Sequence, residues 1–245
     1  MTYLLIHGGG CSGRYWDRLL PALDGPAVAV NLPGRLDRPG DLATQTLDVE
    51  AQSVVNDVNA FPGDEPIVVV AHSSGGLVVP RVVEALAGRV ERIVLNAALV
   101  PPDGGLGIEC MKPAHREGLL WAIDDAKSKG TVLIMPGAPE DPETFRVAYG
   151  GDPLNDDDLA FITDPLRLVP DTVQHYFQPV TWNGIRDVPV TYVLNELDRP
   201  IRPAMQQNML ERLPNLRDVV RMDCGHVPAV THVDEFAAAV IGGIS

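Results

Sequence analysis

The sequence predicts an α/β protein in which a mostly parallel central sheet carries helices on both faces. Its 245 residues alternate short apolar runs with amphipathic helical patterns, which is typical of strand–helix–strand units. Most of these runs are apolar throughout, as expected for strands that are covered on both sides. Hydrophobic residues make up 45% of the chain and charged residues 21%, the balance of a folded domain rather than of a disordered chain.

The strand candidates are six short apolar runs, namely residues 3–7, 27–31, 67–71, 92–96, 190–195 and 218–222. After the second run, Ala51, Val54, Val55 and Val58 recur at the spacing of one helical face. Helices are also predicted for residues 74–86 and 233–241. Pro80 lies inside the first of these two segments, so we expect a kink or a late helix start there.

A different pattern occupies residues 100–184, which we call the cap segment. It holds turn-forming clusters such as Pro101-Pro102-Asp103-Gly104-Gly105, no clear buried strand, and 14 acidic against 6 basic residues. Helices and loops inserted between two core strands would produce this pattern. We therefore expect a mainly helical cap over the carboxyl edge of the sheet, where open α/β sheets bind ligands. Residues 1–99 and 185–245 would form the core.

The charge of the chain argues against several classes of partner. Acidic residues outnumber basic ones by 33 to 19, which gives a net charge of −14. Binding to nucleic acid or to an anionic membrane surface needs clustered lysine and arginine, so neither is expected. The three cysteines, Cys11, Cys110 and Cys224, lack the spacing of a disulfide framework or a zinc site. With no signal-peptide pattern and no apolar stretch of membrane-spanning length, the sequence indicates a soluble, cytoplasmic protein.

Ser73 lies in a context that is typical of a nucleophilic serine. The segment Ala71-His72-Ser73-Ser74-Gly75-Gly76 directly follows an apolar strand and opens a helix, which is the setting of the G-x-S-x-G nucleophile elbow. Small residues flank the serine because strand and helix approach closely, and Ala71 replaces the first glycine. The alternative is an ordinary glycine-rich turn with a capping serine. His72 is interpreted as a packed neighbour of the elbow rather than as a second base.

The segment His7-Gly8-Gly9-Gly10 ends the first predicted strand. In an acyl-transfer site, backbone N–H groups here can bind a developing oxyanion, and glycine lets the substrate approach closely. A second interpretation exists, because Gly8, Gly10 and Gly13 also match the G-x-G-x-x-G fingerprint of dinucleotide binding. That fingerprint requires an acid near the end of the next strand, where Asn31 stands. An NAD(P)-binding oxidoreductase is therefore the weaker interpretation.

Asp198 and His226 each follow a different predicted strand in the second half of the chain. With Ser73 they complete the chain order Ser…Asp…His, which this type of sheet uses for a catalytic triad. Taken singly, Asp198 is equally well explained as a turn or capping acid, and His226 as a loop histidine. Glu196 is the alternative acid.

Five residues are candidates for a substrate pocket. They are Gly10 of the first glycine segment and four aromatic residues of the cap segment, namely Trp121, Tyr149, Tyr176 and Trp182. Taken alone, each aromatic side chain is better explained as part of the interior of the cap than as a substrate contact. The other histidines have no metal-ligand spacing, so the sequence predicts neither a metal site nor a cofactor.

Taken together, these motifs resemble the α/β-hydrolase fold superfamily and, within it, the compact branch of esterases and hydroxynitrile lyases. The resemblance covers nearly the full length and rests on the Leu-Leu-Ile-His-Gly-Gly-Gly start followed by Tyr15-Trp16, the elbow, the segment 190–198 and Gly225-His226. It implies a triad of Ser73, Asp198 and His226, with the N–H groups of Gly9 and Ser74 as the oxyanion hole.

The same resemblance separates two chemistries. Lyases of this branch carry a threonine at the position of Gly8 and a lysine at the position of Val227. Because this chain has neither side chain, the resemblance favours an esterase. The sequence thus predicts a serine hydrolase that cleaves a small-molecule carboxylic ester or lactone through an acyl-enzyme. A cofactor-free dioxygenase, a lyase and a ligand-binding receptor are the alternatives. The acidic cap is expected to disfavour anionic acyl groups weakly. The substrate and the oligomeric state are left open.

Overall fold

A computed structural model of the chain describes residues 1–149 and 154–242. Its strands are, in chain order, β1 (Thr2–Ile6), β2 (Ala27–Ala29), β3 (Ile67–His72), β4 (Val90–Asn96), β5 (Gly105–Leu106), β6 (Ile134–Met135), β7 (Asp171–Thr172), β8 (Pro179–Val180), β9 (Val190–Asn195) and β10 (Leu216–Met222). Its α-helices are α1 (Leu47–Ala60), α2 (Val79–Ala85), α3 (Pro113–Ser128), α4 (Pro142–Tyr149), α5 (Asp156–Ile162), α6 (Pro203–Leu210), α7 (Pro228–Thr231) and α8 (Val233–Ile241).

Six of the strands form the central sheet in the spatial order β10-β9-β4-β3-β1-β2. Every neighbouring pair in it is parallel. All six predicted runs are strands of this sheet, so the predicted fold class is confirmed. The inner strands β3 and β9 are buried along their length, whereas β10 lies at an edge and is half-exposed. This is why the sequence of β10 carries charged residues that β3 and β9 lack.

Helices cover both faces of the sheet. Successive side chains along each strand point to opposite faces, so each face has its own apolar core. Leu4 and Ile6 of β1 belong to a core that includes apolar side chains of α1, α2 and α6. Tyr3 and Leu5 point to the opposite face, where they join a second core with Phe236 of α8. Strands that are buried on both faces have no polar face, which explains their continuous apolar sequences.

The helix predicted for residues 74–86 is divided in the structure. A 3-10 helix, Ser73–Leu77, follows β3 directly, and α2 begins only at Val79, with Pro80 in its first turn. Proline fits there because the first turn of a helix makes no use of its missing N–H. The late start anticipated from Pro80 is thus the correct alternative. Further 3-10 helices cover Gly13–Trp16, Leu20–Ala22, Gly107–Cys110, Gln174–Phe177 and Asn183–Ile185.

The chain leaves the central sheet between β4 and β9. This stretch contains α3, α4 and α5 together with two small antiparallel pairs, β5 with β8 and β6 with β7. Its helical content agrees with the expectation for a cap, and the division into a core of residues 1–99 and 185–245 and a cap of residues 100–184 stays a prediction. Residues 150–153 and 243–245 of these ranges lie outside the described residues.

Two further properties concern membranes and metals. None of the helices described for this chain combines the length and the apolar character needed to cross a membrane. Across residues 1–149 and 154–242, no group of three or more histidine, cysteine, aspartate or glutamate side chains is arranged to hold a metal ion. The three cysteines are buried and unbridged.

Candidate active site

Ser73 stands at the sharp turn between β3 and the helix that follows it. Its backbone φ is +53°, a left-handed conformation that is rare for a residue with a side chain. The turn is also crowded, because a Cβ on Gly75 would lie 2.5 Å from the backbone oxygen of His7. These are the properties expected of a nucleophile elbow, in which a strained backbone presents the serine hydroxyl above the sheet.

The structure brings Ser73, His226 and Asp198 together, although they lie far apart in the sequence. The Oγ of Ser73 is 3.2 Å from Nε2 of His226, and Nδ1 of His226 is 2.7 Å from Oδ2 of Asp198. The other carboxylate oxygen of Asp198 accepts a hydrogen bond from the N–H of Ile201 at 2.8 Å. This geometry places Nδ1 of His226 against Asp198 and Nε2 against the Ser73 hydroxyl, an arrangement that is suited to proton transfer.

Glu196, the alternative acid, lies elsewhere. Its carboxylate is partly exposed and pairs with Arg221, at 2.6 Å between Oε1 and Nη1. Asp198 is buried, whereas Glu196 points to solvent, so geometry separates two acids that stand only two residues apart in the sequence.

His72 packs under the candidate triad rather than competing with it. Its Nε2 donates to the backbone carbonyl of His226 at 2.8 Å, and its ring stacks on Tyr15, with 4.9 Å between the ring centroids. Burial, followed by the charge of His226, lowers the pKa of His72 well below its usual value. A neutral His72 with its Nε2 proton committed to a backbone carbonyl is a packed neighbour, as the sequence indicates.

The glycine turn after β1 lies against the elbow. A Cβ on Gly8 would lie 2.8 Å from the Cβ of Ser73, so this position has no room for a side chain. Gly9 follows, and a Cβ on it would lie 3.2 Å from Oγ of Ser74. The Gly9 backbone is thus adjacent to Ser74, whose N–H lies at the start of a helix and has no partner in the preceding helical turn.

The dinucleotide interpretation of this turn is wrong for a physical reason. The N–H groups that would have to face a pyrophosphate are already used within the protein. Gly10 donates to Asp171 at 2.7 Å, Cys11 to the carbonyl of Gly8 at 3.2 Å, and Gly13 to the side chain of Asn31 at 2.8 Å. The turn also leads into a four-residue 3-10 helix, Gly13–Trp16, rather than into a long helix with a strong N-terminal dipole.

A cavity of about 910 Å³ opens directly above Ser73 and His226. Its walls are mostly apolar and come from both the sheet edge and the cap segment; they include Leu99, Leu119, Ala122, Phe145, Ile162 and Val227. Of the predicted pocket residues, Gly10, Tyr149 and Tyr176 line it. The Tyr149 ring lies 5.8 Å from the His226 ring and stacks on Phe145 at 4.2 Å between centroids.

The two predicted tryptophans do not line the cavity. Trp121 is 71% exposed, because it projects from the outer side of α3. Trp182 is buried in the core beside the sheet, where its indole N–H donates to the carbonyl of Pro101 at 2.8 Å. An aromatic residue in a sequence carries no sign of which way its side chain will face, so composition alone could not separate these residues from the tyrosines.

Most of the acidic side chains described for the cap segment do not line the cavity. Among its described acids, only Asp171 is part of the cavity wall, and Asp171 is paired with the buried Arg35. Lys112 and His115 also line the cavity, and burial lowers the pKa of both side chains. The expectation that the cap weakly disfavours anionic acyl groups stays a prediction, and these lining residues give it no direct support.

Sequence reasoning missed Asp171 and Arg35 as parts of this site. They lie 136 residues apart, and both side chains are almost fully buried beside the glycine turn. Neither belongs to a motif. An acid in a small strand of the cap segment and an arginine in a loop after β2 carry no sequence signal that they will meet.

Comparison with known proteins agrees with this architecture. The profile of the Alpha/beta hydrolase family matches residues 3–239. The pimeloyl-(acyl-carrier protein) methyl ester esterase of Neisseria meningitidis serogroup A is 26% identical over an alignment that covers 96% of this chain and 73% of that protein. Methylesterase 9 of Arabidopsis thaliana is 24% identical, over 92% of this chain and 91% of that protein.

A solved structure supports the same fold. It is described as an extracellular alpha/beta-hydrolase from a Paenibacillus species with structural and functional homology to tobacco salicylic acid binding protein 2. The TM-score is 0.77 at 16% identity, and the match covers 98% of both chains. Likeness at this identity bears on the fold alone, and it confirms the predicted one.

Proposed function

Because this chain belongs to the Alpha/beta hydrolase family and is an ester hydrolase, we propose that it cleaves a carboxylic ester through a Ser73–His226–Asp198 triad and an acyl-enzyme. The observation that carries the proposal is the 3.2 Å contact between Ser73 Oγ and His226 Nε2, together with the 2.7 Å contact of His226 with Asp198. These distances lie within the reach of a proton transfer.

In the first half-reaction, Ser73 Oγ attacks the ester carbonyl carbon while His226 Nε2 takes the serine proton. The tetrahedral intermediate carries a negative oxygen, and the N–H groups of Gly9 and Ser74 are the proposed donors to it. Each such donor contributes a factor on the order of 10²–10³ in turnover. His226 then returns the proton to the alkoxide that leaves, which gives the alcohol and the acylated Ser73.

In the second half-reaction, His226 takes a proton from water, and the resulting hydroxide attacks the acyl carbon. Collapse of the second intermediate breaks the bond to Oγ, which is reprotonated by His226, and releases the carboxylic acid. Asp198 holds the imidazole through its Nδ1–H and stabilises the imidazolium. Its burial supports this role, since a charge attracts its neighbour more strongly inside a protein than in water.

The cavity favours a neutral ester with an apolar acyl group of moderate to large size. A volume of about 910 Å³ lies within the range that holds a drug-sized ligand, and its wall is mostly apolar. Two relatives are named as esterases of methyl esters, so methyl esters of bulky carboxylic acids are the first substrates to examine. The lyase alternative is disfavoured because Gly8 has no room for a side chain and Val227 carries no charge.

The proposal is tested with p-nitrophenyl esters of increasing acyl length, methyl arylalkanoates, and a fluorophosphonate that labels nucleophilic serines. We expect hydrolysis by the wild type, a label that peptide mapping places on Ser73, and the loss of both in Ser73→Ala. Labelling of the wild type by the fluorophosphonate at another residue would contradict the proposal. So would a Ser73→Ala variant that keeps its esterase activity. Oxygen uptake with an aromatic substrate would instead indicate the dioxygenase alternative.

A further inference from the structure

A buried ion pair lies directly behind the proposed oxyanion hole. Asp171 belongs to β7 in the cap segment, and Arg35 belongs to the loop after β2; their exposed fractions are 2% and 1%. The Arg35 guanidinium donates to Oδ1 of Asp171, and it also lies 3.4 Å from Glu50. Its other terminal nitrogen donates to the carbonyl of Pro33 at 2.6 Å. Arg35 is thus held from three sides.

Asp171 uses its second oxygen to hold the glycine turn. Oδ2 accepts the N–H of Gly10 at 2.7 Å, while Oδ1 accepts the N–H of Thr172 at 2.7 Å in addition to Arg35. The chain just before Asp171 supports the same turn, because the N–H of Val169 donates to the carbonyl of Gly10 at 2.7 Å. Both polar groups of the Gly10 backbone are therefore bound by a segment that ends at Asp171.

The same carboxylate lies close to Gly9. A Cβ on Gly9 would be 3.3 Å from Oδ2 of Asp171, so the negative charge stands within a few ångströms of the point where the oxyanion would form. An uncompensated carboxylate at this place would oppose the developing charge. Arg35 removes that conflict, because its positive charge is fixed against Asp171 on the side away from the turn. The nearby Glu50 has a partner of its own in His175, at 3.4 Å.

We propose that Asp171, neutralised by Arg35, is a positioning residue that fixes the Gly9–Gly10 turn so that the N–H of Gly9 points at the oxyanion. This inference rests on the proposed ester hydrolysis and adds to it a residue of the cap segment. A buried ion pair by itself is weak support for stability, since desolvation of both charges offsets their attraction. A role in aligning a catalytic donor explains why the pair stands at this turn.

The test is Asp171→Asn, with Glu50→Gln as the matched control. The amide has one acceptor oxygen, and the Arg35 cation competes for it, so Gly10 loses its acceptor while the volume of the side chain is kept. We expect kcat with a p-nitrophenyl ester to fall roughly 10²-fold with KM nearly unchanged. Labelling of Ser73 by the fluorophosphonate should slow by a similar factor. Glu50→Gln alters the same buried cluster without touching the turn, and it should leave both rates within about threefold of wild type.

Three results would overturn the inference: wild-type kcat and labelling in Asp171→Asn, an equal loss in Glu50→Gln, or a loss that appears in KM alone. If the amide variant does not fold, Asp171→Ala removes both acceptors and carries the same expectation. The proposed function fails separately. In that case the wild type neither hydrolyses the esters nor labels on Ser73, whereas failure of this inference alone leaves the wild type active and the Asp171 variants equal to it.

Discussion

The imidazole of His72 donates a hydrogen bond from Nε2 to the backbone carbonyl of His226, over 2.8 Å. The residue before the candidate nucleophile thereby holds the loop that carries the candidate base. The two rings lie 4.6 Å apart between centroids. Burial, followed by the charge of His226, lowers the pKa of His72 well below its usual value, so His72 is a neutral donor in this contact.

Replacing His72 by phenylalanine should therefore lower kcat without removing the triad. The ring can still stack on Tyr15, but the carbonyl of His226 loses its donor, which costs about 1–3 kcal/mol when a buried acceptor is left unsatisfied. We expect kcat to fall about tenfold or more, because the base loses its fixed position. Steady-state kinetics and thermal unfolding of both proteins measure this. Wild-type kcat in His72→Phe would mean that the contact has no influence on the base.

The two acids near His226 should differ sharply in their effect on activity. Asp198→Asn keeps the size of the side chain but favours the wrong tautomer of His226, so kcat should fall by a factor on the order of 10⁴. Glu196→Gln breaks only an exposed pair with Arg221, and it should keep wild-type kcat. Esterase assays of the two variants, made in parallel, decide between the acids. A comparable loss in Glu196→Gln would contradict the assignment of Asp198.

Substitutions at Gly9 and Tyr176 are expected to have coupled effects on kcat/KM. A methyl group on Gly9 would lie 2.9 Å from the phenol oxygen of Tyr176, which is too close for the present arrangement. Gly9→Ala should therefore lower kcat/KM, and Tyr176→Phe in the same chain should recover part of that loss by removing the oxygen. A double-mutant cycle measures the coupling. Additive effects of the two changes would show that they do not interact.

The buried His7 should make the protein sensitive to acid. Its Nδ1 contacts the carbonyl of Gly8 at 2.9 Å, while Nε2 accepts the N–H of Leu32 at 3.3 Å and so has no room for a second proton. Burial, with the Arg35 charge as the second cause, lowers its pKa to about 4. Because the folded pKa lies below the unfolded value of 6.5, protons bind preferentially to the unfolded chain between these values.

The free energy of unfolding should thus fall as the pH is lowered from 6.5 towards 4, by about 3 kcal/mol from His7 alone. His72 contributes in the same direction, because its folded pKa is also lowered. His175 contributes in the opposite direction: burial lowers its pKa, but the charge and hydrogen bond of Glu50 and the charge of Asp171 together raise it above its usual value, so its contribution is lost at higher pH. Urea unfolding from pH 4 to 8 should show a slope about one proton smaller in His7→Gln than in the wild type.

The size of the cavity should set the preference for the acyl group. Ala122 lines the cavity, so Ala122→Trp should fill part of it and lower kcat/KM for long or aryl acyl groups more than for acetate. The neighbouring Trp121 is exposed on the outer side of α3, and Trp121→Ala is the control, with wild-type kinetics expected across the series. A parallel loss for acetate and for the long esters in Ala122→Trp would indicate a general disturbance of the cap rather than lost volume.

The sequence by itself determined the central sheet and the order of the candidate triad. Strands buried on both faces need continuous apolar runs, and the elbow needs small residues around Ser73, so both leave a local pattern. The parallel arrangement of such strands then brings Ser73, Asp198 and His226 to one edge of the sheet. The apolar strands and the elbow follow from neighbours in the chain, and the sheet then brings the distant residues together.

Only the tertiary structure decided the direction of the cap side chains and the partners of the buried charges. Trp121 and Tyr149 look alike in sequence, yet one faces solvent and the other faces the cavity, because packing between distant elements orients each helix. The meeting of Arg35 with Asp171 likewise depends on two loops that approach through the whole fold. Long-range contacts leave no local periodicity, and a single sequence therefore does not reveal them.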